Sequence, residues 1–381
     1  MPFSRFALPA LALLAACVSP QTQGVVPSQC AGAAPYAGPS LRAGGVVDAS
    51  GLSPARGSGL TQAERDRLTQ AFATARRATG AESLSVAVWQ SGGDPWVAQH
   101  RVGAGQLHYW ASVGKIVTAA AILRLEEMRK LSLDDPISDY VPGVPLGDAI
   151  TLRMLMAHSS GLFSLNEDPD LSAQGMMTLP EVLSALSQKP LYACPGAVWR
   201  YSNTGYTLLG AVIEAVTGQP YATAAEDLVL ARSRADTIRV LSRRADLSNI
   251  VPLGAGAEPG FDIRAPQAAG GIVADAQSMA LFLRDLLAGR IVSRAHVALM
   301  TRTLYPMFDQ GLWYGLGMMV YDVPSADGAQ LWIGHSGGVP GAKAIVAYAP
   351  DLDAIAAVAL TGGGSAEATA HLLFKALDGG T

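Results

Sequence analysis

The chain has 381 residues, 50% hydrophobic and 15% charged, so it carries enough apolar material for a core and a disordered chain is excluded. The formal net charge is −4 and no basic block interrupts the sequence, which removes the electrostatic footprint of a nucleic-acid binder. The 41 glycines follow no collagen period, and the length suits one large domain or two interleaved ones.

Met1–Arg5 carries one positive charge, and Phe6–Ala16 is an apolar run well short of the ~20 residues a spanning helix needs. Residues 1–16 therefore read as a secretory signal. Its end, Leu14-Ala15-Ala16-Cys17, resembles a bacterial lipobox. That resemblance implies cleavage before Cys17 and lipidation of Cys17. The protein would then be exported and lipid-anchored to the cell envelope, facing the periplasm or exterior. An ordinary signal cut nearby is the alternative. Residues 17–59 are rich in Gly, Pro, Ala and Ser and read as a flexible tether. Cys30 and Cys194 remain either as two free thiols or as a disulfide, which persists in an exported chain.

The domain begins near Leu60. Thr61-Gln-Ala-Glu64 fits a capping box, and Leu68, Ala71, Phe72 and Ala75 follow at helical spacing up to Gly80. Ser83–Trp89 and Trp96–Arg101 read as strands around the turn at Gly92-Gly93-Asp94-Pro95. Ser112–Met128 is apolar nearly all round, the pattern of a helix buried on most sides. Residues 130–264 contain helix-like pieces separated by Pro and Gly. Strands return at 315–321, 331–333, 344–348 and 354–360, and 366–377 is a final helix. Strands at both ends and helices between them predict an α+β fold: one antiparallel sheet flanked by helices, with an all-helical subdomain.

Three motifs carry chemistry. In Ser112-Val-Gly-Lys115 the hydroxyl and amine share a helix face at i and i+3. A serine hydroxyl needs a base, and a lysine amine serves when burial lowers its pKa. Tyr201-Ser-Asn203 offers a phenol that can share a proton with that amine. Its Asn203 amide can bind Lys115 and a substrate carbonyl. Gly334-His335-Ser336-Gly337-Gly338 follows a predicted strand. There Gly337 and Gly338 let a substrate backbone approach, amides can bind an oxyanion, and His335 can polarise a substrate group.

In this order, S-x-x-K, Y-x-N and H-x-G resemble the serine beta-lactamase and DD-peptidase superfamily, in its class C-like branch of carboxypeptidases and esterases. Ile150–Leu162, with His158-Ser-Ser-Gly161, resembles the family's LLxHxSGL signature. Pro195-Gly196 and Ala269-Gly270-Gly271-Ile272 are also typical. The resemblance covers residues 60–381 and implies a beta-lactamase/transpeptidase-like fold with Ser112 as acylated nucleophile. Lys115 and Tyr201 would be the base system and Asn203 a substrate-binding residue. The oxyanion hole would come from the N–H groups of Ser112 and Gly338. His335 stands where class C beta-lactamases have Lys; a neutral imidazole binds a substrate carboxylate less well. His158 has a structural role in that signature. The expected substrate is a D-Ala-D-Ala peptide or a small ester or amide. Alternatives are a true class C-like beta-lactamase and a non-catalytic peptidoglycan- or penicillin-binding lipoprotein.

The rival reading takes Gly334–Gly338 as a G-x-S-x-G elbow, with Asp353 and His371 following in order. The elbow requires a helix straight after the serine, and Val339-Pro340-Gly341 stands there instead. Val113-Gly-Lys115 is no P-loop, because Tyr109 replaces its first Gly and Ile116 its Ser or Thr. No metal is expected from scattered His and Cys, and acid–base covalent chemistry needs no cofactor.

Overall fold

The structure, a computed structural model, describes residues 24–43 and 59–379 apart from 174, 309–310 and 326–327. The expected signal, Cys17 and the stretch 44–58 lie outside the described residues. A short strand β1 (Arg42–Ala43) precedes α1 (Gln62–Thr79), β2 (Ala81–Gln90), β3 (Trp96–His100), β4 (His108–Tyr109) and α2 (Lys115–Glu127). The middle is helical: α3 (Leu152–Met156), α4 (Pro169–Ser172), α5 (Leu179–Ser187), α6 (Asn203–Thr217) and α7 (Tyr221–Leu228), followed by the short β5 (Arg239–Val240). Next come β6 (Ile272–Ala274), α8 (Ala276–Leu287), α9 (Arg294–Arg302), β7 (Thr303–Pro306) and β8 (Leu312–Tyr314). The chain closes with β9 (Met319–Ser325), β10 (Gly328–Val339), β11 (Ala342–Ala349), β12 (Ala354–Gly362) and α10 (Ala366–Leu377).

Among the described residues nine strands form one sheet in the order β1-β7-β8-β9-β10-β11-β12-β2-β3. Its pairs are antiparallel, and β12 joins the C-terminal strands to β2 near the other end of the chain. Side chains alternate across a strand, so each strand feeds two cores. In β12, Ala354, Ala356, Val358 and Leu360 pack with α1 and α10, through Leu68, Ala75, Leu373 and Phe374. Ile355, Ala357 and Ala359 face the opposite core, with Phe282 and Leu283 of α8 and much of α2. Helices on both faces explain why these strands read as continuous apolar runs. Helix α1 starts as its sequence predicts: Thr61 N–H donates to Glu64 Oε2 at 2.7 Å, and Glu64 N–H to Thr61 Oγ1 at 3.3 Å.

Three boundaries differ from expectation. The Gly-rich run at 334–338 does not follow a strand; it lies within β10, held by β11 through Gly337↔Ala344 and Gly338↔Lys343. The ladder outweighs the poor strand propensity of glycine. Ser112 sits in a 3₁₀ turn, Ala111–Gly114, and α2 begins only at Lys115.

The third difference concerns residues 24–43, assigned above to a free tether. Val25 and Leu191 exchange backbone hydrogen bonds at 2.7 and 2.8 Å, and Ala34 and Ala37 donate to Pro195 O and Ala197 O. Cys30 and Cys194 form a disulfide with a Cα separation of 5.5 Å. Arg42 clamps Asp322 with bonds of 2.8 and 2.7 Å and lies over the Trp313 ring. This stretch is a strap docked on the domain, because its backbone groups find partners there.

Candidate active site

The 3₁₀ turn brings positions i and i+3 into register, which aligns Ser112 with Lys115. Just before it, Ala111 adopts φ +48°, a strained value for a residue with a Cβ, next to the candidate nucleophile. Two glycines let neighbouring backbone close on the turn. A Cβ on Gly337 would stand 2.5 Å from Trp110 O and 2.6 Å from Ser112 N. A Cβ on Gly270 would stand 2.8 Å from the Ala111 carbonyl carbon. The H-x-G and A-G-G motifs are therefore small so that β10 and the 269–271 loop can frame Ser112.

Lys115 is fully buried, yet its amine is held by hydrogen bonds. Nζ lies 3.1 Å from Ser112 Oγ, 2.7 Å from Asn203 Oδ1 and 2.6 Å from Ala269 O. Asn203, the first residue of α6, is oriented from its other side: Nδ2 donates to Asn166 Oδ1 at 2.9 Å. Ser164 Oγ donates to Asn166 Oδ1 at 2.7 Å and accepts from Asn203 N–H at 2.9 Å. Ser164, Asn166 and the Ala269 carbonyl were missed by sequence reasoning. The first two carry no motif, and the third acts through backbone.

The Tyr201 ring stands 4.9 Å from the same amine. Its loop is zipped to the His158–Gly161 signature by backbone bonds Tyr192 N→Gly161 O, Gly196 N→Ser159 O and Arg200 N→His158 O. His158 Nδ1 accepts from Ser202 N–H at 3.2 Å, and its ring packs 4.1 Å from the Tyr201 ring. Burial lowers the His158 pKa well below the usual value, with Lys115 adding to the effect, so the ring is neutral. It acts as a prop for Tyr201.

His335 departs from its expected role. It is fully buried in β10. Its Nδ1 lies 2.5 Å from Ser336 O, and its Nε2 lies 3.1 Å from Tyr314 Oη. Burial, then Lys115, pushes its pKa down to about 3. The carbonyl can only accept, so the neutral ring donates from Nδ1 and takes the Tyr314 hydroxyl at Nε2. Neither nitrogen is left for a substrate. Ser336 points to the opposite face, its Oγ against Met319 Sδ at 3.7 Å, in mid-strand; the elbow reading fails there.

A cleft of about 200 Å³ opens over Ser112. Asn203, Gly338, Ala269 and Gly270 border it, with apolar walls from Leu165, Met177, Val182 and Phe261. None of its described lining residues is charged.

The fold, the three motifs and this geometry coincide with a known family. The beta-lactamase family model matches residues 66–379, and the chain belongs to that family. Penicillin-binding protein 4 of Amycolatopsis lactamdurans is 28% identical over 296 residues, covering 70% of this chain and 75% of the relative. Of other curated relatives it matches, the chain spans 23% to 31% of the length. A D-stereospecific amidohydrolase from Streptomyces sp. superposes with a TM-score of 0.69 at 26% identity, covering 82% of this chain and 97% of its own. The D-amino acid amidase of Ochrobactrum anthropi SV3 shares the fold, with a TM-score of 0.72 at 20% identity over 83% of this chain and 98% of that one.

Proposed function

We propose that the protein is a serine hydrolase that forms an acyl-enzyme at Ser112, acting on a D-Ala-D-Ala peptide or a small ester or amide. The hydrogen bonds that hold the Lys115 amine beside Ser112 carry this reading. In the neutral form that can act as a base, the amine keeps a lone pair. Asn203 Oδ1 and Ala269 O can only accept, so they hold N–H groups of the amine. That leaves the lone pair to receive the proton of Ser112 Oγ, 3.1 Å away, as Oγ attacks the substrate carbonyl. Tyr201, beside the amine, completes the base system and returns the proton to the leaving group. The N–H groups of Ser112 and Gly338 hold the oxyanion. Water then releases the acyl group.

The amidohydrolase neighbour supports an amide substrate, and the penicillin-binding relative supports acylation by penicillins. Efficient beta-lactam turnover is disfavoured, because His335 offers no cation where class C enzymes have Lys. The Leu14–Cys17 motif supports a lipid anchor in the cell envelope as the site of action. A fluorescent penicillin or fluorophosphonate should label the wild type and not Ser112→Ala; equal labelling of both would remove Ser112 as nucleophile. Turnover of a D-Ala-D-Ala peptide, a p-nitrophenyl ester and nitrocefin, measured side by side, then ranks the substrates.

A further inference from the structure

The wall of the cleft over Ser112 is apolar at Leu165, Leu171, Met177, Val182, Phe261 and Val339. Asn166, Thr204 and Gln267 add only amides and a hydroxyl, each bonded within the protein. Asn166 Oδ1 accepts from Asn203 Nδ2, Thr204 Oγ1 accepts from Leu165 N–H, and Gln267 Nε2 donates to Met177 O. The arginines beside these lining segments are engaged elsewhere. Arg264 clasps Asp262 at 2.8 Å. Arg200 pairs with Glu167 at 3.1 Å and lies over the Tyr192 ring. Arg243 donates to Met176 O at 3.3 Å. None of the three borders the cleft. His335 is neutral and both of its nitrogens are taken, and Lys115 is buried and serves as base in its neutral form. A carboxylate entering this cleft would lose hydration and meet no cation, which is costly, whereas an apolar chain gains by burial.

We propose that the natural substrate is an ester or amide whose portion held in the cleft is apolar and uncharged. A peptide with a free carboxylate beside the scissile bond is thereby set aside in favour of a neutral amide or ester. This inference rests on the acyl-enzyme reading above and narrows its substrate class.

The test compares p-nitrophenyl heptanoate with the mono-p-nitrophenyl ester of adipic acid, which has similar reach and ends in a carboxylate. The wild type should favour the heptanoate in kcat/KM about ten- to a hundredfold, the range of one missing hydrogen bond to a charged group. Equal turnover, or a preference for the adipate, overturns the proposal. Met177→Lys puts an ammonium on the wall while its stem keeps the apolar contact, and it should cut that preference about tenfold. The preference is a ratio measured on one preparation, so a partly misfolded sample does not move it. Phe261→Lys takes its place if Met177→Lys does not fold, and an unchanged ratio in the lysine variant overturns the proposal. The leaving-group side is read by competition with heptanoate hydrolysis. The amide of N-acetyl-D-alanyl-D-alanine should compete several-fold better than the free acid; no difference, or better competition by the acid, overturns the proposal. If Ser112→Ala hydrolyses the heptanoate as well as the wild type, the acyl-enzyme reading fails and this inference falls with it. A failure confined to the charge comparisons leaves that reading intact.

Discussion

At the scale of single residues the site is a set of mutually fixed donors and acceptors around one buried amine. Lys115→Met removes the group that faces Ser112 and strands Asn203 Oδ1 and Ala269 O. Acylation, followed by a burst of labelled enzyme, should slow by about 10² to 10⁴-fold. Stability should fall by about 1–3 kcal/mol from the unsatisfied acceptors. Tyr201→Phe should slow acylation comparably while melting near the wild-type temperature, because its ring contacts with His158 and Tyr314 persist. Near-normal acylation in either variant would exclude the proposed base system. Ser112, Lys115, Tyr201 and Asn203 were legible in the sequence because their functional pairs are announced by short local spacings. Ser164 and Asn166 were not, since each reaches the site through tertiary approach.

At the scale of elements, β10 divides the labour between its faces. Gly337 shows how little room the front face has. Gly337→Ala would drive β10 off the nucleophile turn, costing about 1–3 kcal/mol and abolishing labelling. Gly338→Ala meets nothing nearer than Ala342 O at 3.5 Å and should change stability by less than about 0.5 kcal/mol. Ser336→Ala alters only the back face and should label with fluorophosphonate as the wild type does. Loss of labelling there would revive the elbow reading. Within β10 His335 and Gly337 share a face, being two apart in a strand. The closing of His335 came from Tyr314 on β8, a short strand with no alternation to announce it. The same limit hid the glycine-rich end of β10 beyond the expected 331–333, whose glycines carry no strand signal although its ladder to β11 continues.

For the whole molecule, three buried histidines set the response to acid. Burial brings His108 down to about 4; burial and Lys115 bring His335 to about 3 and lower His158 as well. The folded forms stay neutral while the unfolded chain protonates below about 6.5. The unfolded state therefore binds more protons in the window from about 6.5 down to 4. The stability these groups contribute is complete above 6.5 and is lost as pH falls through their folded values. The melting temperature should decline across that window, and less steeply in His108→Asn; a flat profile would contradict the assignment. The strap adds a second global contribution. The Cys30–Cys194 bridge spans 164 residues, and a paired Cys30→Ser, Cys194→Ser variant should lose about 2–5 kcal/mol in denaturant unfolding.

The place of β12 between β11 and β2 reaches beyond the finished structure. Ala81–Gln90 is made early, yet apart from β3 its partner in the sheet is a strand made some 270 residues later, from Ala354 to Gly362. The contact order of this sheet is correspondingly high, and such pairings form slowly. The turn that carries Ser112 is braced by Gly337, on a strand that is itself tied through β11 to β12. A growing chain therefore holds its nucleophile and its lysine long before it holds them in place. Chemistry should switch on only once the final strands have been synthesised and threaded home.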